Sequence, residues 1–495
     1  MRSETHAEPM TPAQADALVA TLPSLAGITA DSRRVAPRIA FAAYPGAAHD
    51  GRAFIGDALA RGASAVVFEA RGFAWNEGAH LAHVAVDNLK ANVGPIASAI
   101  YDHPSRNLWM IGVTGTNGKT SCAHFIARAL SHCGRRTAIV GTLGNGFADA
   151  LAPSANTTPD ACELQQSLAA WRRGGIAAVA MEVSSHGLDQ GRVNGTAFDV
   201  ALFTNLTRDH LDYHETMDAY GEAKARLFAW PGLRAAVVNV GDPFGRTLAE
   251  RAAAHGVRVT TYGAHDADIA AIDVDLRAET THIAFRTPQG RGRMSTSLAG
   301  AFNVQNLQGV LGVLLASDVA FGDALAAMST LTAPAGRMER LGGGAAPLVV
   351  VDYAHTPDAL SQVLIAMRPA VGRAGRLVCV FGAGGDRDRG KRAPMGEVAG
   401  RLADRVIVTS DNPRSEDPAA IADAIVEGLR SVKADFAVEL DRARAIAQAI
   451  GGARAGDVVV IAGKGHEDYQ EANGRRVPFS DVRCVAGVLA DRRAG

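Results

Sequence analysis

The stretch that decides the fold is Ile111-Gly-Val-Thr-Gly-Thr-Asn-Gly-Lys-Thr-Ser121, in which an apolar run gives way to a glycine-rich turn followed by lysine and threonine. Without side chains at Gly115 and Gly118, backbone amides can point at phosphate oxygens, and the following helix offers its positive N-terminus. Lys119 would reach the outer phosphates of a nucleoside triphosphate, and Thr120 a magnesium ion. The stretch therefore predicts a strand, a phosphate-binding loop and a helix. The predicted nucleotide contacts are Gly115, Thr116, Asn117, Gly118, Lys119 and Thr120.

This loop is a variant of the common phosphate-loop pattern. The pattern G-x-x-x-x-G-K-[ST] requires glycine at position 113, where the chain has Val113. An ordinary turn between a strand and a helix is the alternative interpretation.

The scarcity of lysine supports the phosphate-loop interpretation. Only six of the 50 basic residues are lysines, so arginine fills most positions that need only a cation. Lysine differs from arginine because its amine is a compact charge that can lose a proton and react. The lysines that lie in Gly-, His- or acid-rich segments are Lys119, Lys224, Lys391 and Lys464.

Bulk composition limits the class of protein. A chain of 495 residues is too long for one hydrophobic core and predicts two to four domains. A net charge of -1 gives no electrostatic reason to expect nucleic acid or a membrane surface as partner. The five cysteines lack metal-site spacing, and no apolar run is long enough to span a membrane. We expect a cytoplasmic protein without membrane insertion that acts on small molecules.

Apolar strands alternate with helical segments in three successive units. A polar, proline-bearing linker at 102–107 precedes the strand that leads into the phosphate loop, and 332–337 is a second break. The pattern predicts an α/β protein with mostly parallel sheets. The predicted domains are 1–107, 108–336 and 337–495.

Seven chemically rich segments each follow a predicted strand directly. Ligands of parallel sheets bind beyond the carboxyl ends of the strands, so this placement predicts a shared site. The segments are 115–120, 182–190, 204–210, 352–357, 382–391, 410–414 and 463–469.

Two of these segments carry candidate metal ligands. Glu182 ends a strand and is predicted to bind magnesium opposite Thr120, because carboxylate and hydroxyl oxygens are its preferred ligands. His210 lies in an Asp- and His-rich segment and is assigned to a second magnesium-type ion. A surface or capping glutamate and a polar capping loop are the alternatives.

Together these segments resemble the Mur ligases of peptidoglycan synthesis. The resemblance rests on 115–120, Glu-Val-Ser-Ser-His-Gly-Leu (182–188), 205–214, Ala-Phe-Asn-Val-Gln-Asn (301–306), Gly-Arg-Met-Glu (336–339), Asp-Tyr-Ala-His-Thr-Pro-Asp (352–358) and Gly-Lys-Gly-His-Glu (463–467). It covers nearly the whole chain from about Asp31. It implies three domains: an N-terminal domain for the UDP end of a substrate, a central phosphate-loop ATPase domain, and a C-terminal Rossmann-like domain for an amino acid.

The resemblance also gives Lys224 a role. From the residues alone, Lys224 lies on a predicted helix and would be a solvated lysine. In the family the matching lysine is carbamylated to N6-carboxylysine and helps to position magnesium, so Lys119, Lys224 and His210 are the expected catalytic residues. Arginine could not form that carbamate.

Further site residues follow from the resemblance alone. Expected ATP contacts are Asn303, Arg337, Asp352 and His355. Expected contacts to the UDP-linked muramoyl dipeptide are Ser32, Asn156, Thr157, Thr158, Ser184, Gln190 and Arg192. The N-terminal loop Pro45-Gly-Ala-Ala-His49 matches the family only in outline.

The segment Asp411-Asn-Pro-Arg414 resembles the family motif that selects meso-diaminopimelate. An arginine can form paired hydrogen bonds with the second carboxylate of that amino acid, which lysine lacks. The expected pocket comprises Arg387, Asp411, Asn412, Pro413, Arg414, Gly463 and Glu467. Outside the family context, Asn-Pro is a turn former and Arg414 a surface charge.

The resemblance implies a ligase that uses ATP and Mg²⁺ to join meso-2,6-diaminopimelate to UDP-N-acetylmuramoyl-L-alanyl-D-glutamate through an acyl phosphate. We expect the protein to be a monomer. The alternatives are a Mur-type ligase that adds L-lysine, a folylpolyglutamate-type ligase, and a nucleotide-binding regulator that forms no bond. The segments 184–192 and 411–414 argue against the folate enzyme.

Overall fold

The computed structural model describes residues 8–46, 49–75, 80–277 and 280–494. Its first unit is a parallel sheet of strand order β1-β2-β3-β4. The strands are short Ala- and Val-rich runs, and apolar clusters cover both faces of the sheet. The elements are α1 (Pro12–Val19), β1 (Gly27–Thr29), β2 (Ile39–Ala43), α2 (Ile55–Ala60), β3 (Ala65–Glu69), β4 (His83–Val86) and α3 (Leu89–Ile100).

The second unit contains the phosphate loop. Its main elements are β5 (Trp109–Thr114), α4 (Lys119–His132), β6 (Thr137–Gly141), β7 (Gly144–Phe147), β8 (Ala150–Ala152), α5 (Ala161–Arg173), β9 (Ala178–Glu182), α6 (Ser185–Asp189), β10 (Val200–Phe203), α7 (Leu211–His214), α8 (Met217–Ala225), β11 (Ala235–Asn239), α9 (Pro243–Ala254) and β12 (Arg258–Tyr262). An antiparallel sheet and two helices follow: β13 (Ala270–Leu276), β14 (Thr281–Thr287), β15 (Gly290–Thr296), α10 (Ala301–Ala316) and α11 (Phe321–Ser329).

The order of the large sheet positions the site. It runs β12-β11-β10-β5-β9-β6-β7-β8, and only the β6-β7-β8 edge is antiparallel. Strand β5 is buried between β10 and β9, and all three run parallel. Their carboxyl ends therefore lie together, which brings the segments after Thr114, Glu182 and Phe203 to one edge of the sheet.

The third unit has a six-stranded sheet of order β16-β17-β21-β18-β19-β20, in which only β16 is antiparallel. Strands β21, β18 and β19 are neighbours, so the segments after Ala462, Phe381 and Val408 also meet. The elements are β16 (Glu339–Gly342), β17 (Leu348–Asp352), α12 (Pro357–Met367), β18 (Leu377–Phe381), α13 (Arg392–Leu402), β19 (Arg405–Val408), α14 (Pro418–Ser431), β20 (Phe436–Val438), α15 (Arg442–Gly451), β21 (Val458–Ala462), β22 (Tyr469–Ala472), β23 (Arg475–Pro478) and α16 (Asp481–Ala494).

The predicted α/β class with mostly parallel sheets is confirmed. All seven segments follow a strand, as predicted. The sequence interpretation did not include the antiparallel sheet β13–β15, in which the exposed residues of β13 alternate between acidic and apolar side chains. The domain limits at 107 and 336 stay predictions. In the N-terminal loop 45–49, residues 47 and 48 lie outside the described residues. Over the described ranges, every helix is too short or too polar to cross a membrane.

Candidate active site

The phosphate loop has the geometry that its glycines predict. Gly115 and Gly118 have φ values of +147° and +85°. A Cβ atom at Gly115 would lie 1.8 Å from Thr204 Oγ1, and one at Gly118 would lie 2.6 Å from Asn306 Oδ1. Both glycines are therefore required by backbone conformation and by close packing. The backbone amide of Asn117 donates to Asn205 Oδ1 at 2.9 Å, which fixes the loop against the segment after β10.

Two lysines converge on one carbonyl of this loop. Lys119 Nζ donates to the carbonyl oxygens of Gly115 and Thr116 at 2.9 and 2.8 Å. Lys224 Nζ donates to the same Gly115 oxygen at 2.8 Å. Lys224 is only 1% exposed, so the solvated-lysine interpretation is wrong. Burial lowers the pKa of both amines, most strongly that of Lys224, which the nearby Lys119 charge lowers further.

The candidate magnesium ligands meet where α4 begins. Thr120 Oγ1 lies 2.9 Å from Glu182 Oε2, and the backbone amide of Thr142 donates to Glu182 Oε1 at 2.8 Å. Glu182 is 1% exposed, which excludes the surface-glutamate interpretation. Arg337 Nη2 also donates to Thr120 Oγ1, at 3.0 Å. A hydroxyl and a carboxylate suit Mg²⁺, which typically takes its other ligands from phosphate and water.

His210 lies across the cavity in a partly exposed position. Its Nε2 is 3.5 Å from Asp209 Oδ2, and its ring meets that of His186 edge to face at 4.9 Å between centroids. Burial lowers the pKa of His210 to about 3, so the ring is neutral and keeps a lone pair for a metal. Within the described ranges, no group of three or more His, Cys, Asp or Glu could hold a metal ion. A metal here would therefore depend on substrate oxygens.

Asp209 joins the second and third units. It is 4% exposed, and its carboxylate lies 3.3 Å from Lys391 Nζ and 3.6 Å from His355 Nε2. Burial alone would raise the pKa of Asp209, but the His355 hydrogen bond and the Lys391 charge outweigh it and hold the pKa well below its usual range. Beside this contact, Arg208 pairs with Asp388 at 3.1 Å. This junction was not predicted from the sequence, although Lys391 stands out there as one of the few lysines.

The cavity at this junction has a volume of about 410 Å³. The cavity is lined by every residue of the phosphate loop from Thr116 to Thr120, by the candidate metal ligands and by all four further candidates for ATP binding. Asp352 is buried, its pKa is raised by that burial, and it accepts hydrogen bonds from the amides of Met338 and Ala354 at 2.8 Å each. Arg337 stacks on the ring of Tyr353, with 4.4 Å between the guanidinium carbon and the ring centroid. The four candidates that line it are Asn303, Arg337, Asp352 and His355.

The expected contacts to the muramoyl dipeptide are only partly at this cavity. Thr157 and Ser184 line it. Thr158 is fully buried and bonds to Ser184 Oγ at 3.1 Å, while Arg192 donates to the Thr158 carbonyl at 2.9 Å and to Gln190 Oε1 at 3.0 Å. Asn156 is exposed outside the cavity lining, and Ser32 lies on the first unit. Substrate binding by these residues stays a prediction.

The expected diaminopimelate residues lie together on the third unit, outside the cavity lining. Asn412 Nδ2 donates to Glu467 Oε2 at 2.8 Å, and Lys464 Nζ donates to Asn412 Oδ1 and Glu467 Oε2 at 3.1 and 2.8 Å. Arg414 has a φ of +52° and donates to the Gly385 carbonyl at 2.7 Å. Arg387 is exposed. The buried Asn412 is therefore part of a polar network and more than a turn former.

With this geometry established, comparison with known proteins identifies the class. Three family models match successive segments: "Mur ligase family, catalytic domain" at 24–101, "Mur ligase middle domain" at 113–314 and "Mur ligase, glutamate ligase domain" at 336–465. The chain belongs to the Mur ligase family.

Individual relatives show which Mur ligases are similar to this chain. The chain is 53% identical, over 92% of its length and 93% of the relative's, to the UDP-N-acetylmuramoyl-L-alanyl-D-glutamate--2,6-diaminopimelate ligase of Ectopseudomonas mendocina. It is 51% identical to the ligase of the same name from Pseudomonas aeruginosa, over 94% of both chains. A solved structure of a ligase of that name is 37% identical, covers 95% of each chain and has a TM-score of 0.67. The folylpolyglutamate synthase of Mycobacterium tuberculosis shares the fold at 19% identity, with a TM-score of 0.61 over 74% of this chain.

Proposed function

We propose that this protein is an ATP-dependent ligase of peptidoglycan synthesis that joins meso-2,6-diaminopimelate to the D-glutamate of UDP-N-acetylmuramoyl-L-alanyl-D-glutamate. The observation that carries the proposal is the junction cavity, in which Lys119, Glu182 and Lys224 of one unit face Asp352 and His355 of the next. Relatives at about 50% identity that bear the name of this ligase support the choice of substrates.

The reaction begins with phosphoryl transfer. The γ-phosphate of ATP passes to the side-chain carboxylate of D-glutamate, which gives ADP and an acyl phosphate. The loop amides and Lys119 hold the phosphates and compensate their charge while the phosphoryl group moves. Lys119 now donates to loop carbonyls, so its amine has to exchange these partners for phosphate oxygens.

The second step forms the amide bond. An amine nitrogen of diaminopimelate attacks the acyl carbon, and the tetrahedral intermediate loses inorganic phosphate and a proton from nitrogen. The role proposed for Arg414 and Asn412 is to hold the far end of the amino acid, while Glu467 pairs with its free amine. A bidentate arginine contact to the second carboxylate would select diaminopimelate over L-lysine.

Magnesium fits the residues present. We propose that Thr120 and Glu182 hold one magnesium ion and that His210 helps to hold a second, each together with substrate oxygens. Carbamylated Lys224 would help to position magnesium. When bound, Mg²⁺ supplies positive charge that stabilises the transferring phosphoryl group. Carbamylation is supported by the burial of Lys224 and its lowered pKa, because only the neutral amine reacts with carbon dioxide.

The enzyme is proposed to act as a monomer in the cytoplasm. Free cysteines support a reducing compartment: Cys122, Cys133, Cys162, Cys379 and Cys484 are unpaired in the described structure.

The deciding experiment offers purified protein ATP, Mg²⁺ and the UDP-dipeptide with either diaminopimelate or L-lysine, and measures product mass and phosphate release. We expect a product whose mass exceeds that of the UDP-dipeptide by the mass of diaminopimelate minus that of water. Phosphate release should require both the UDP-dipeptide and diaminopimelate. A lysine adduct would assign the protein to the lysine-adding branch. Phosphate release without either cosubstrate would favour a nucleotide-driven regulator, and glutamate addition to a folate would favour the folate enzyme.

A further inference from the structure

Arg442, the first residue of α15, is a fully buried cation that the proposed mechanism does not use. Its guanidinium forms two hydrogen bonds with the carboxylate of Asp481, at 2.7 and 2.8 Å, and both side chains are 0% exposed. Burying such a pair has a large desolvation cost, and apolar residues of similar volume often stabilise a fold as well or better. The ion pair alone therefore does not explain a buried arginine at this position, and the guanidinium has further contacts.

Those contacts are two backbone carbonyls at the ends of separate strands. Arg442 Nη2 donates to Ala462 O at 2.9 Å, and Nη1 donates to Ser410 O at 3.3 Å. Ala462 is the last residue of β21, and Ser410 lies two residues after β19. Strand β18 separates these strands in the sheet, so the guanidinium ties together two loops that no direct strand pairing connects.

Each of the two residues whose carbonyl accepts a hydrogen bond from Arg442 immediately precedes a loop with candidate contacts to the amino-acid substrate. Ser410 precedes 411–414, and Ala462 precedes 463–467. The two loops are in close contact, because a Cβ atom at Gly463 would lie 2.4 Å from Asp411 Oδ2. Lys464 joins them by donating to Asn412 and Glu467. A shift of either carbonyl would therefore move the polar atoms proposed to hold the amino acid.

Asp481, the ion-pair partner of Arg442, anchors a third structural element, the hairpin of β22 and β23. The backbone amide of Arg414 donates to Glu471 O at 3.0 Å, and the amide of Asn473 donates to Arg414 O at 2.6 Å. The hairpin thus holds Arg414 in its left-handed conformation. Asp481 follows the hairpin closely, so the pair with Arg442 anchors its outgoing end.

We propose that Arg442, paired with Asp481, is a positioning residue for the amino-acid substrate: it sets the spacing between the 411–414 loop, the 463–467 loop and the hairpin, and so determines which amino acid is accepted. This inference rests on the proposed function. A planar fork with five donors can serve one carboxylate and two carbonyls together, whereas a lysine ammonium is a point charge and cannot hold the same geometry.

The test compares Arg442→Lys and the double variant R442M/D481L with wild type. The double variant removes both buried charges, so it leaves no unpaired ion if the single variant folds poorly. Arg444→Lys is the matched control, because Arg444 lies on the same helix with an exposed side chain. KM and kcat are measured for diaminopimelate, ATP and the UDP-dipeptide, together with the ratio of kcat/KM for diaminopimelate and L-lysine.

We expect KM for diaminopimelate to rise about tenfold or more in both variants, since small displacements of positioning groups have effects of this size. KM for ATP and the UDP-dipeptide should stay within about twofold, and discrimination against L-lysine should fall. An unchanged KM for diaminopimelate in folded variants, or an equal rise for all three substrates, would overturn the proposal. If wild type ligates L-lysine instead, the proposed function fails, and the same comparison with L-lysine still decides the role of Arg442.

Discussion

Thr120 donates its hydroxyl hydrogen to Glu182 Oε2 across 2.9 Å, joining the first turn of α4 to the end of β9. Strands β5 and β9 are parallel neighbours, so the phosphate loop and Glu182 leave the sheet side by side. The same carboxylate accepts the amide of Thr142. Glu182 is thereby held beside the Thr120 hydroxyl, and both side chains line the junction cavity.

We predict that Glu182→Gln raises the Mg²⁺ concentration needed for half-maximal activity by about tenfold. The amide keeps the shape of the carboxylate but removes its charge, and losing one charged ligand of a hard cation weakens binding by this order. Phosphate release measured against Mg²⁺ concentration at saturating substrates reports the change. Glu163→Gln on α5 is the control, and an unchanged Mg²⁺ requirement in Glu182→Gln would remove Glu182 from the ligand set.

Lys119→Ala should abolish turnover while the protein stays folded. Loss of a preorganised cation from a phosphoryl-transfer site lowers kcat by roughly 100- to 1000-fold. In the described structure the side chain donates its hydrogen bonds to loop carbonyls, so its removal breaks no direct hydrogen bond to a carboxylate. Steady-state phosphate release and circular dichroism measure the two parts. Lys90→Ala is the matched control, because Lys90 is exposed on α3; near wild-type product formation by Lys119→Ala would refute the phosphate-loop assignment.

Carbamylation of Lys224 predicts a carbon dioxide requirement. Burial lowers the pKa of this amine, so its neutral form is more populated at neutral pH and can react with carbon dioxide. Protein equilibrated with ¹³C-bicarbonate should give one carbamate carbon signal, and activity should fall when carbon dioxide is removed. Lys224→Arg should lack the signal and most of the activity, because its guanidinium does not form a carbamate. A signal that persists in Lys224→Arg would place the carbamate elsewhere.

Diaminopimelate selection by Arg414 is the fourth prediction. A charge-assisted contact to a carboxylate is worth about 1.5 to 3 kcal/mol, which corresponds to roughly a 10- to 150-fold rise in KM for diaminopimelate in Arg414→Ala. KM for ATP and for the UDP-dipeptide should change little. Arg430→Ala, which changes an exposed arginine on α14, is the control. An unchanged KM for diaminopimelate would contradict the selectivity role.

The sequence predicted strands better than it predicted the relations between units. Uninterrupted apolar runs such as Val458–Ala462 are buried on both faces of a parallel sheet and are recognisable from composition alone. The candidate ligands at strand ends followed from the same rule. The pairing of Asp209 with Lys391 did not, because it joins residues 182 positions apart across two units. Likewise, the burial of Lys224 depends on a contact with Gly115 that helix periodicity does not encode.

The fifth prediction concerns acid stability and His124, a buried residue of α4. It is 3% exposed, and in the part of the chain that the structure describes its Nε2 has no hydrogen-bond partner. Burial, with the Arg128 charge second, lowers the pKa of His124 from 6.5 to about 4. As pH falls, the unfolded chain therefore takes up a proton at this ring before the folded chain does. The contribution of neutral His124 to the free energy of unfolding is fully present above pH 6.5. It is lost progressively as pH falls towards about 4.

Replacing His124 with Gln removes this titration. At pH 5 the histidine lowers the free energy of unfolding by roughly 2 kcal/mol relative to neutral pH. Between pH 7.5 and pH 5, the thermal midpoint of the variant should therefore fall by a few degrees less than that of wild type. Scanning calorimetry at both pH values measures the difference, and comparing each protein with itself cancels any packing change. His132→Gln is the control on the same helix, because His132 is exposed. Equal acid shifts in wild type and His124→Gln would contradict the prediction, because they would show that the ring takes up its proton at the same pH in the folded and the unfolded chain.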